Sequence, residues 1–225
     1  MDLLKAKTTR WQTITFADFD GFVLFYKVFR VFGGPGGGIL RNVKTVIVNS
    51  AFFNTLYRQS LWGDDGENYN LYKFRILATY LKPRNVCIGQ LSRYEVYKEL
   101  AKLMKTWPIE NVAWHDACLP MVVYCTLFPN VPHHHYFYRV LKVPPKTFHT
   151  DYLLRIAGKT NVKSITFQGP VADSSRSWLP SWAKLGVKCG VNGVAKKVSV
   201  DGPGGLQYFF PAEYQPCPCC NDMCC

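Results

Sequence analysis

The residues best equipped for chemistry lie together in Trp114-His115-Asp116-Ala117-Cys118. A thiol, an imidazole and a carboxylate are the parts of a cysteine nucleophile with its general base and its orienting group. Those roles require the three groups to converge in space. Consecutive side chains on an extended segment point to opposite faces, so adjacency in the chain works against convergence. We therefore expect Cys118 to be a buried cysteine at a strand end, and we assign no catalytic residue.

Three other stretches invite a ligand. Adjacent histidines in Pro132-His133-His134-His135 cannot all reach one metal easily, because histidine ligands are normally spaced across turns or strands. That stretch reads as a solvated or partly packed polar loop. Gly63-Asp64-Asp65-Gly66-Glu67 lacks the further spaced carboxylates of a calcium loop and reads as a solvated turn. Gly33-Gly34-Pro35-Gly36-Gly37-Gly38 follows a helical pattern and precedes a strand, the reverse of a dinucleotide-binding turn, and no Gly-Lys-Ser/Thr follows it. It is expected to be a flexible connection, with an exposed partner-binding loop as the alternative.

Cys217, Cys219, Cys220, Cys224 and Cys225 crowd the last stretch of the chain, with Pro211, Pro216 and Pro218 before or among them. Proline-broken cysteine runs form no packed element, so this tail is expected to be exposed. Three readings stay open. The five thiolates can wrap a soft metal, as the Cys-x-Cys and Cys-Cys runs of metallothionein-like peptides do. The terminal Cys224-Cys225 also resembles the doubly prenylated ending of Rab-type GTPases, and the same thiols could be palmitoylated, giving peripheral membrane association. The third reading is an inert tail. No cofactor is expected beyond the soft metal.

Charge is the remaining chemical signal. The chain carries a formal net charge of +12. Its excess is concentrated between 139 and 200, where Asp151 and Asp173 are the only acids. Arg139, Lys142, Lys163, Lys196 and Lys197 are the candidate polyanion-binding residues, for nucleic acid or an anionic membrane. No nucleic-acid-binding motif accompanies them.

The elements that must position these groups alternate between strand and helix. Trp11 to Phe16 reads as a strand, and Asp18 or Asp20 can cap a helix through Phe22 to Arg30 that is apolar on most of its circumference and so expected to be mostly buried. A strand near 43 to 48 follows, then a short helical turn over Ala51 to Tyr57 and a helix through Leu71, Phe74, Ala78 and Leu81. Ser92-Arg93-Tyr94-Glu95 has capping-box spacing at the head of a helix whose Val96, Leu100, Leu103, Met104 and Trp107 share one face. Later helices are expected at Met121 to Phe128, Asp151 to Ala157 and Trp182 to Val187, and later strands at Tyr138 to Val143 and 195 to 202.

One strand pattern recurs. Asn42-Val43, Asn85-Val86, Asn111-Val112 and Asn161-Val162 each lead into alternating apolar residues. Strand centres fall near 14, 46, 87, 113, 140, 165 and 199, and the shorter spacings, about 25 to 27, suit one strand plus one crossover helix. These strands resemble the divergent leucine-rich-repeat regions of F-box-type proteins found in fungi, although no F-box and no Leu-x-x-Leu-x-Leu-x-x-Asn consensus is present. The resemblance implies an α/β leucine-rich-repeat-like solenoid with a curved parallel sheet, whose concave face binds another protein and which has no active site. An open doubly wound α/β sheet is the alternative fold.

Composition agrees with a folded protein. With 225 residues, 48% of them hydrophobic, the chain can bury roughly 70% of its unfolded surface. We expect a single α/β repeat domain over 11–210, an N-terminal extension over 1–10 and a tail over 211–225. No apolar run reaches membrane-span length and the N-terminus lacks a signal-like apolar core, so a cytoplasmic or nuclear location is expected. Cys87, Cys118, Cys125 and Cys189 are then expected to be small buried hydrophobes. The function that follows is a non-enzymatic protein-interaction module, with a nucleic-acid- or membrane-associated protein as the competing class and an enzyme third.

Overall fold

The computed structural model describes residues 12–32, 40, 42–61, 69–137, 160–168, 187–189, 195–199, 207–209 and 217. The chain forms two compact units that divide between Ile109 and Glu110.

The first unit holds strands β1 (Thr13–Phe16), β2 (Thr45–Val48) and β3 (Asn85–Ile88), parallel and hydrogen-bonded in that order. Between and after them run helices α1 (Phe19–Phe32), α2 (Ser50–Leu61), α3 (Tyr69–Tyr80) and α4 (Tyr94–Met104). Asp18 caps α1, accepting a bond from the Gly21 N–H at 2.7 Å. Asn49 does the same for α2, where its Oδ1 accepts the Ala51 N–H at 2.8 Å. α2 is a full helix of 12 residues in place of the short turn expected over Ala51 to Tyr57.

Aromatic side chains build this core. Phe74 of α3 lies 5.1 Å from the ring of Phe16, 5.9 Å from Phe22 and 5.7 Å from Phe52. These offset and edge-on pairs add to the burial of large apolar area. The expected face of α4 is buried at Val96, Leu100, Leu103 and Met104, and Trp107 just beyond it donates its indole N–H to the Ala78 carbonyl at 2.8 Å. Glu99 is buried too, and although burial is the largest single influence and raises its carboxyl, the hydrogen bonds and charges of Arg75 at 2.6 Å and Lys102 at 3.0 Å together outweigh it and hold the carboxyl low.

The capping box at Ser92 does not form. α4 begins one residue later, with Arg93 at its N-cap and no side-chain cap bond. The Ser92 N–H and hydroxyl both donate instead to Asn54 Oδ1 of α2, each at 3.0 Å. Asn54→Ala should therefore lower stability by about 1 kcal/mol in urea titration, and Ser92→Ala by less, because only the asparagine carries both bonds. Equal losses in the two variants would contradict this.

The second unit holds β4 (Asn111–His115), β5 (His133–Phe137), β6 (Ser164–Gln168), β7 (Val187–Cys189), β8 (Ala195–Ser199) and β9 (Gln207–Phe209), with helix α5 (Met121–Leu127) between β4 and β5. β4, β5 and β6 are parallel and adjacent, β9 runs parallel to β6, and β8 is antiparallel to both β9 and β7. The antiparallel end departs from the all-parallel sheet that the resemblance implied.

The histidine run is the largest departure from expectation. His133 to His135 are not a loop; they open β5, between β4 and β6, with His134 fully buried. Tyr136 and Phe137 complete the strand and are also buried, and two aromatic residues of high strand propensity override the polar appearance of what precedes them. The strand expected over Tyr138 to Val143 lies outside the described residues. So do the glycine cluster, the acidic stretch at 63–67 and the helix expected at Asp151 to Ala157.

Val43, Val86, Val112 and Val162 are all buried, as the repeated pattern predicts. Their registers differ, however. Thr45 stands opposite Asn85, so Asn42 lies before the level of Asn85; Ser164 stands opposite His133, which pairs with Asn111, so Asn161 is offset the same way. Val46, Ile47 and Val48 are moreover all buried, as are Val86, Cys87 and Ile88, so these strands are covered on both faces. Alternating strands and helices are present, while the repeat units are not copies of one another.

Candidate functional site

α1 carries two apolar stripes with the same spacing. Phe22, Tyr26 and Phe29 point inward and are buried. Leu24, Val28 and Val31 lie on the opposite side and are 65%, 36% and 73% exposed. The expectation that this helix is mostly buried is thus corrected. A helix apolar on most of its circumference announces two stripes, and nothing in its sequence says which one the core will use.

Exposed charges of both signs accompany the stripes of α1. Lys27 and Arg30 are exposed on α1, where Asp20 is the only acid. α3 packs beside it, through Phe29 against Tyr80 at 5.3 Å, and the Lys73 ammonium sits 4.0 Å over the Tyr69 ring and 5.9 Å from that of Tyr26. Tyr69 and Tyr72 are both exposed. Tyr26 is shifted upward by burial, partly countered by Arg30, and Tyr69, Tyr72 and Tyr80 push it further up.

The expected chemical residues are placed as follows. His115 is buried and stacked on Phe137 at 5.1 Å, whereas Cys118 is exposed, contrary to the buried position expected. The chain bends between them at Asp116, whose φ of 45° is unusual for a residue other than glycine and whose N–H is held by the Phe137 carbonyl at 2.8 Å. Cys87 and Cys125 are buried as expected, and burial pushes the Cys125 thiol up to about 12, so it is no thiolate nucleophile.

The histidines make a connected row. His134 Nδ1 accepts the Trp114 indole N–H at 3.2 Å, which places the ring proton on Nε2, and that nitrogen has no partner in full hydrogen-bonding geometry. Burial drives His134 down to about 3, with His135 and His133 adding to the shift and the Val131 and Phe128 carbonyls opposing it in part. His135 is lowered by burial and then by His133, and His133 Nδ1 lies 2.7 Å from Ser164 Oγ. A neutral, buried, donor-only edge suits packing better than proton transfer near neutral pH.

Cys217 is buried, which corrects the expectation that the tail thiols are exposed. Cys219, Cys220, Cys224 and Cys225 lie outside the described residues, as do Arg139 and Lys142. Lys163 is exposed, and Lys196 and Lys197 are consecutive in β8, on opposite faces of the sheet, with Lys197 opposite Lys188. Among the described residues no helix is long and apolar enough to cross a membrane. Compared with protein-family models, with curated proteins and with solved structures, the chain gives no match in any of the three.

Proposed function

We propose that the chain is a non-enzymatic protein-interaction module whose docking surface is the outer face of α1. The observation that carries this reading is the exposure of Leu24, Val28 and Val31 in one stripe while the opposite stripe of the same helix fills the core. Scattered apolar residues on a surface need no explanation, but an aligned set on one face of a helix has the make-up of a recognition patch. The burial of β2 and β3 on both faces supports putting the partner here rather than on those strands.

The test is photocrosslinking in cells that make the protein, from benzoyl-phenylalanine placed at Val28 and, as control, at exposed Lys98. A single protein adduct from 28 and none from 98, rebuilt from the two purified proteins and lost in a Leu24→Ser/Val31→Ser double variant, is the expected result. Equal labelling from both positions, or none from 28, would overturn the reading.

A further inference from the structure

We propose that His115 and Cys217 are ligands of a thiophilic metal ion, zinc or copper(I), held inside the second unit. The proposal stands apart from the docking role of α1.

The two donors already lie side by side. A ring nitrogen of His115 and the Cys217 sulfur are within 4.8 Å of each other, and both side chains are buried. A tetrahedral ion holds sulfur at about 2.3 Å and an imidazole nitrogen at about 2.0–2.1 Å, which puts its two donors about 3.6 Å apart, and a linear ion spreads them to about 4.4 Å. Closing the pair onto one ion therefore takes a shift of at most about 1 Å.

The fold aims the imidazole. His115 ends β4, and its ring is stacked on Phe137 of β5 at 5.1 Å with 11° between the planes. The next residue is fixed as well, through the bond from the Asp116 N–H to the Phe137 carbonyl at 2.8 Å. Stacking uses the face of the ring, whereas a metal binds at a nitrogen in its plane, so the two contacts do not compete. The thiol arrives by another route. Cys217 lies in no helix or strand, and Pro216 and Pro218 on either side have no backbone N–H to offer a sheet. Strand pairing thus does not account for the burial of Cys217, and the second unit takes in the side chain for its own sake.

Donor chemistry selects the ion. A thiolate with an imidazole suits zinc and copper(I), while magnesium and calcium take oxygen donors. Binding releases the thiol proton to solvent as the metal–sulfur bond forms, and the thiolate then offsets one positive charge of the ion, which a buried site requires. The link joins the end of β4 to a segment about a hundred residues later in the chain, so the ion would also act as a staple. A hydrogen bond from the thiol to the imidazole is the other use of the same pair, and it would leave the protein indifferent to metal.

In the full chain, Cys219, Cys220, Cys224 and Cys225 are changed to serine so that the other tail thiols do not take up the probe. The reduced, metal-free protein is titrated with zinc and, anaerobically, with copper(I), each against a chromophoric chelator, with magnesium as the control. One equivalent of at least one of the two ions should be retained, and no magnesium; the ion held more tightly names the metal. At a hundredfold of its dissociation constant that ion should raise the melting temperature by about 5–10 °C. Cys217→Ala and His115→Phe, the second keeping an aromatic ring on Phe137, should each weaken binding at least a hundredfold and abolish the rise. Where either variant melts poorly without metal, alkylation decides on the chain that keeps both ligands. One equivalent of the ion should slow modification of Cys217 at least tenfold and leave exposed Cys118 unchanged. Binding of neither ion, binding unaltered in both ligand variants, or equal alkylation of Cys217 with and without metal would overturn the proposal. Retention confined to the chain with all its tail cysteines would overturn it as well, by assigning the metal to the other four thiols.

Discussion

Replacing Val162 by Asp should abolish cooperative melting of the second unit. Val162 is buried in the segment that leads into β6, between Asn161, whose N–H is held by the Pro129 carbonyl at 2.7 Å, and Lys163, whose N–H is held by the Pro132 carbonyl at 2.7 Å. These bonds fix the backbone on both sides, so the new carboxylate cannot swing to solvent without breaking them. An unpaired carboxylate left in an apolar site costs several kcal/mol, against a total margin of roughly 5–15 kcal/mol for a domain. Val162→Ala should cost much less, about 1–2 kcal/mol, because it removes apolar contact without burying charge. Lys163→Asp, next door and exposed, should change stability by no more than about 0.5 kcal/mol. Urea denaturation of the three variants decides the matter. A Val162→Asp protein that melts like the parent would show that this valine does not face the core.

That contrast between neighbours was readable from alternation alone, and so was most of the local structure. β1, β2, β3, β4, β6 and β8, the apolar face of α4, and α5 all fall where periodicity places them. What sequence could not supply was the third dimension. Asn-Val marks the approach to a strand at four places, yet the pairs sit at two different levels of the ladder, because register is set by the neighbouring strand and not by the local pattern. The capping box failed for a related reason: Asn54, distant in sequence, offers Ser92 a better acceptor than the helix end does.

The candidate site was the least legible part. Ionisable and thiol groups attract attention in a sequence, but here the histidine run is consumed by a strand and Cys125 by packing. The bare stripe of α1 contains no such group. Leu24, Val28 and Val31 could have been found as a second seven-residue seam on a helix already supplied with one, and deciding that the second seam stays uncovered requires knowing which side of α1 meets Phe52 and Phe74.

His134 should make the protein acid-labile well above the pH at which its carboxylates protonate. Its folded value lies at about 3, below the ordinary 6.5, because the ring is buried and because His135 and His133 stand beside it. Between those two values the unfolded chain binds a proton that the folded chain excludes, so stability rises with pH there. The contribution is fully present above pH 6.5 and is lost as pH falls toward 3. Each unit is worth about 1.4 kcal/mol, which makes the loss about 2 kcal/mol by pH 5. His135, lowered by burial and by His133, acts in the same direction, whereas Cys125, pushed up to about 12, stays protonated throughout. His134→Asn keeps an acceptor near the Trp114 indole and removes the titration. It should be less stable than the parent at pH 7.5, by about 1–3 kcal/mol for the volume lost, yet should show a distinctly shallower fall in urea midpoint between pH 7 and 5, with His135 supplying what slope remains. Parallel pH profiles for the parent and His134→Asn would mean that the ring is not held neutral by the fold, and would remove the acid switch from the second unit.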